Sequence, residues 1–168
     1  MKKMTGGALV LMFVFSFSGA QSPREVPSVM TLPLMTAYLA GEPITETLPA
    51  ETFGHPNPER VLELKEKLAL TAEQKEQLQI LAKFTRSQAA LFGKKIVGEE
   101  LLLDDFFRKG TTDYAALANR IESIGNWYWR RRLTFLEAYF KTRTVLSDEQ
   151  LKIYRELRSL APERTRAK

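Results

Sequence analysis

Catalysis needs groups that move protons, attack a carbonyl or hold a metal, and this chain offers few of them. Its single histidine, His55, would have to serve any His-dependent triad or acid–base pair alone. No glycine-rich loop of the phosphate-cradling kind is present. A metal site would have to be assembled from His55 with Glu59 or Glu63 and a second protomer, because after residue 20 the only methionines are Met30 and Met35. Zinc and nickel centres usually draw on several imidazole or thiolate ligands. His55 is therefore the one metal-ligand candidate, and no metal, cofactor or enzymatic activity is expected.

The residues that could do something else lie in one run. Trp127-Tyr128-Trp129-Arg130-Arg131-Arg132-Leu133 sets three arginines behind three aromatics. Aromatic and arginine side chains favour protein contacts, and the planar, weakly hydrated guanidinium suits acidic chains. The competing expectation is that these arginines pair with Glu99, Glu100, Asp104 and Asp105 on a neighbouring helix.

Two short phrases at matching places nearly repeat one another: Leu70-Thr71-Ala72-Glu73-Gln74 and Leu146-Ser147-Asp148-Glu149-Gln150. Each has the chemistry of a helix start. The hydroxyl of Thr71 or Ser147 accepts a backbone N–H three residues on, while Gln74 or Gln150 reaches back to the cap residue. The acids lie in the first turn, where the helix dipole favours negative charge. Leu70 and Leu146 are placed to act as hydrophobic staples.

These starts must be carried by helices. Asn57 and Pro58 open a first helix, expected to reach about Ala69. A second runs from Thr71 to Lys109 with Gly110 at its end, and Gly93 and Gly98 mark a bend. A third starts near Thr111 or Thr112 and runs to Val145, and a fourth runs from Ser147 to about Leu160. No segment alternates with period two, so no sheet is expected.

The second helix carries one apolar stripe of Leu78, Leu81, Ala89, Phe92, Ile96, Leu103 and Phe107. Beside it lies another, of Ile80, Phe84, Leu91, Leu101 and Leu102. The third helix repeats this with Tyr114, Leu117, Ile121, Ile124, Tyr128, Phe135 and Tyr139, flanked by Trp129, Leu133 and Phe140. A hairpin of two long helices buries one stripe from each, so apolar surface is left over for flanking helices, a dimer or a bound chain.

Ahead of these helices, residues 1–20 read as a secretory signal. Lys2 and Lys3 precede the apolar run 8–17, and Ser18-Gly19-Ala20 offers a cleavage site after Ala20. The chain has no cysteine, so neither a disulfide nor a lipid-bearing cysteine is available. Residues 21–168 hold 23 Lys and Arg against 20 acids, too mild an excess to argue for nucleic acid. Seven of the eight prolines lie between Pro23 and Pro58, so residues 21–56 read as an irregular arm. Its apolar groups suggest that part of 28–41 packs on the helical body, as a short helix. Residues 57–161 form the helical domain and 162–168 a loose tail.

The leader, the paired motifs and the order of elements resemble the Spy/CpxP family of periplasmic helical proteins, the LTxxQ-motif family. They are also similar to the periplasmic heavy-metal sensor and resistance proteins of the CnrX and ZraP kind. The likeness covers about residues 55–160, with Ser147 replacing the threonine of the second motif. It implies an all-α protomer: a long antiparallel helical hairpin with two short flanking helices, cradle-like and paired as an intertwined homodimer.

In the chaperone branch, the resemblance implies binding of unfolded or misfolded envelope proteins without ATP, on apolar and basic side chains. Here those are Ile80, Phe84, Leu91, Trp127, Trp129, Arg130, Arg131, Arg132 and Leu133. The alternative is a regulatory or heavy-metal-responsive partner of a membrane sensor kinase or anti-sigma factor. The sensor branch's ligands have no counterparts here beyond His55.

Overall fold

The computed structural model describes residues 25–159, and among them every regular element is a helix. Six helices follow in order: α1 (Leu32–Ala40), α2 (Leu48–Thr52), α3 (Pro58–Glu63), α4 (Ala72–Arg108), α5 (Tyr114–Val145) and α6 (Asp148–Ser159). The expected leader 1–20, its cleavage site, and the tail 162–168 with the helix end near Leu160 lie outside the described residues.

The frame is the long hairpin. α4 has 37 residues, about 55 Å of helix, and it packs most extensively on α5, then on α1 and α3. Several local expectations are corrected. α3 ends at Glu63, and the chain continues in turns to Ala69, whose φ of 47° is left-handed. The N–H of Leu70 reaches the carbonyl of Lys65 at 3.0 Å and that of Ala69 reaches Glu66 at 3.2 Å, closing the end as a Schellman turn. α5 begins at Tyr114 rather than at Thr111 or Thr112, because Asp113 is the cap, accepting from the Ala116 N–H at 3.0 Å. Four short helices flank the hairpin: the two expected, the short helix expected within 28–41, and one more. The Pro-rich arm supplies the last two, α1 within 28–41 as expected and the five-residue α2, which was not.

The two cap motifs form one device. Thr71 and Ser147 accept from Gln74 N–H at 3.1 Å and Gln150 N–H at 3.2 Å, and each glutamine Oε1 accepts from its own cap N–H at 3.0 Å. The two amides then bond one another reciprocally, at 2.9 and 3.0 Å. Each Nε2 spends its second hydrogen on the chain entering the opposite motif: Gln74 on Val145 O at 2.8 Å, Gln150 on Leu68 O at 3.1 Å. Around this pair Leu70, Leu146, Val61, Leu68, Leu78, Leu151 and Tyr154 make a buried apolar cluster. The base of the hairpin is thus locked to α3 and α6.

A second cluster lies midway along the hairpin, where Met30, Met35 and Tyr38 of the arm pack on Ile96 and Val97. α4 runs through Gly93, and a Cβ there would fall onto the Tyr38 carbonyl. Gly98, by contrast, faces open space.

Candidate functional site

The arm defines two sides of α4. Gly93 lies beneath Tyr38, and Leu91, two residues earlier, points roughly the opposite way at 100° per residue. Leu91 belongs to a line of large apolar side chains that the arm leaves open. Ile80, Phe84, Leu91 and Leu102 recur at i, i+4, i+11 and i+22, within about 40° of one stripe. They are 63%, 56%, 47% and 50% exposed. Leu101 departs from this stripe and packs against the arm's cluster.

The stripe is flanked by a cationic aromatic group. The Trp127 ring stacks on Phe92 with centroids 6.0 Å apart and planes at 26°. Lys95 Nζ, one turn on from Leu91, lies 5.9 Å from the Trp127 centroid, and the Arg130 guanidinium lies 5.7 Å from it. Lys95 thus links the Leu91 end of the stripe to this group, while Trp127 itself also packs against the arm's cluster.

Other residues of the expected set fall elsewhere. Trp129, about 200° round the helix from Trp127, shares a separate stripe with Leu133 and Phe140. All three are exposed, and Arg132 is exposed one turn from Trp129. His55 lies against Phe140, ring centroids 6.1 Å apart. Among the described residues, no group of three or more His, Cys, Asp or Glu is placed to hold a metal.

Arg131 is the main correction. It is fully buried and cannot meet a ligand at the surface. Its guanidinium pairs with Glu46, donates to the Glu42 carbonyl at 2.5 Å, and lies 4.3 Å from the Tyr38 ring centroid and 5.1 Å from that of Phe135. Burial pulls it down to about 10, against the field of Tyr38, so it stays charged at neutral pH.

Nor do the arginines of the run pair with the acids expected for them. Glu99 takes Arg120 at 3.2 Å, Glu100 takes the Tyr128 hydroxyl at 3.3 Å, Asp104 takes Ser28, and Asp105 takes Lys109 at 2.6 Å. Burial raises Glu100, the Tyr128 bond opposing and Asp104 adding to the rise.

Two expected core residues of α5, Tyr114 and Ile121, are 81% and 51% exposed. Phe107 of α4 is also exposed, and Phe106 takes the buried place. The contacts missed in sequence are those of Glu42 and Glu46 with Arg131. Nothing in the spacing of an acid in a proline-rich arm marks a partner 85 residues away.

Comparison with family models, curated proteins and solved structures returns no match to this chain.

Proposed function

We propose that this protein binds unfolded or aggregation-prone proteins of the cell envelope, without ATP, along the open stripe of α4 and the Trp127 group beside it. The observation that carries the reading is the stripe itself. Four large apolar side chains stand at least 47% exposed in one line on a rigid helix, with Lys95 and Arg130 at its edge. Exposed apolar patches of this kind mark interaction surfaces. The line suits extended apolar segments of varied sequence, and the cations favour acidic ones. On this reading the protein is exported to the periplasm and acts as a homodimer. No helix of the described residues is long and apolar enough to cross a membrane.

The direct test mixes residues 21–168 with a chemically unfolded client at equal concentration, without ATP, and follows light scattering. Suppressed aggregation is the expected result, and unchanged aggregation rejects the reading. A second reading rests on the separate stripe of Trp129, Leu133 and Phe140 with Arg132 beside it. That flank fits one dedicated partner such as a membrane sensor. Saturable binding of a single envelope protein, with no general suppression of aggregation, would favour it.

A further inference from the structure

The side of the hairpin opposite the open α4 stripe is covered by the chain's own residues 25–56. Their apolar hold comes from Met30, Met35 and Tyr38 on Ile96 and Val97. Four of their polar ties share one chemistry. Ser28 donates to Asp104 through its N–H at 2.7 Å and its hydroxyl at 2.5 Å. Arg108 donates to Glu25 at 3.1 Å. Arg131 pairs with Glu46, and the Tyr139 hydroxyl donates to Glu51 at 2.6 Å. The ties to Asp104, Arg108, Arg131 and Tyr139 each use a carboxylate, whereas the hydroxyl contacts of Tyr38 with Tyr128 and of Thr47 with Tyr139 do not. The base of the hairpin is fastened instead by the amides of Gln74 and Gln150, which do not titrate.

We propose that residues 25–56 are a strap released by acid, which uncovers a second apolar face on α4 and α5 shaped to dock a short, uncharged apolar helix like α1. The occupant is specified by the segment now seated there. It must present small residues where Gly41 crosses the α4 backbone, and apolar groups in the places of Met35 and Tyr38.

The physical cause is loss of acceptor charge. A neutral Glu46 leaves Arg131 charged, wholly buried and facing only the Glu42 carbonyl and two rings. Exposure of the guanidinium to water relieves this. The groups around each tie act as follows. Glu46 also accepts from the Ile44 N–H, and Glu51 from the Thr47 hydroxyl. Glu25 shares Arg108 with Asp105, which also holds Lys109.

Asp104 is held below the usual carboxylate range by the two Ser28 bonds, with Arg108 assisting. A lowered carboxylate contributes stability that is present above its ordinary value and lost as pH falls through its folded value. Glu100 has the opposite sign. Raised by burial, it is relieved when protonated, and it lies between α4 and α5. Acid therefore weakens the strap, while across the hairpin it costs the Glu99–Arg120 pair and relieves Glu100. Release thus falls below the ordinary carboxylate range, where Asp104 gives up its charge.

The chain has no cysteine, so Val29→Cys, an exposed position in the strap, carries a single spin label. Label mobility, far-UV helicity and binding of an anilinonaphthalene sulfonate dye are followed together as residues 21–168 are acidified. The expected result is a mobile label and increased dye binding with most helicity kept. The double variant Glu51→Gln, Asp104→Asn keeps Arg131 paired, and its release midpoint is expected to rise by roughly one pH unit. Four results overturn the proposal: label order and helicity lost together, a label still ordered at about pH 2, a mobile label without dye binding, or an unmoved midpoint in the double variant. None of these readouts uses a client, so they stand apart from the aggregation assay.

Discussion

Gln74 and Gln150 each make four hydrogen bonds through their side-chain amides, two accepted and two donated. Removing one strands the other amide and two backbone groups in a part-buried place. Gln74→Ala should therefore cost about 2–4 kcal/mol, read as a fall in the denaturant midpoint. The double variant with Gln150→Ala should cost clearly less than the sum, since both lose the same pair. The arginine run offers a sharper contrast. Arg131→Ala removes the partner of nearly buried Glu46 and should destabilise by about 3–5 kcal/mol. Arg132→Ala, next door and exposed, should stay within about 0.5 kcal/mol. Equal effects in thermal melts would sink the division of the run drawn above. The caps were legible because each is a local phrase whose partners lie three residues apart. The burial of Arg131 was not, because its acceptors come from the arm at residues 42 and 46.

Helix α4 carries two interior glycines with opposite demands. Gly98 faces open space, so Gly98→Ala should stabilise by about 0.5–1 kcal/mol through helix propensity alone. Gly93 admits the Tyr38 carbonyl, so Gly93→Ala should destabilise by about 1–3 kcal/mol and loosen the arm. The same substitution, five residues apart on one helix, thus changes sign, and a pair of thermal melts reads it. The sequence marks both glycines as weak points of a long helix. Only the crossing of α1 separates them, and that crossing also depends on Gly41, whose φ of 70° ends α1. The long helices themselves were legible, because caps and apolar period agree over more than thirty residues. The ends were less so. α3 gives way to turns after Glu63, where the left-handed Ala69 and the Schellman bonds redirect the chain into Leu70.

At the scale of the whole molecule, charge is divided along the hairpin. Residues 72–98 and 123–145 hold ten Lys and Arg against three Glu, whereas 99–122 hold six acids against three bases. The open apolar stripe from Ile80 to Leu91 lies in the positive part, with Lys95 and Arg130 about Trp127. Two forces should then act on a bound chain, and they can be separated. Apolar burial is little affected by moderate salt, while exposed charges are screened over about 8 Å at physiological ionic strength. Ile80→Ser with Phe84→Ser and Leu91→Ser should abolish most suppression of aggregation at any salt. The melting temperature should barely change, because all three side chains are already at least 47% exposed. Lys95→Gln with Arg130→Gln should weaken suppression mainly for acidic clients at low salt, and the difference from the parent should vanish as salt rises. If the serine variant suppresses aggregation as well as the parent while remaining folded, the α4 stripe is not the binding surface. Binding would then have to be sought on the flank of Trp129, Leu133 and Phe140.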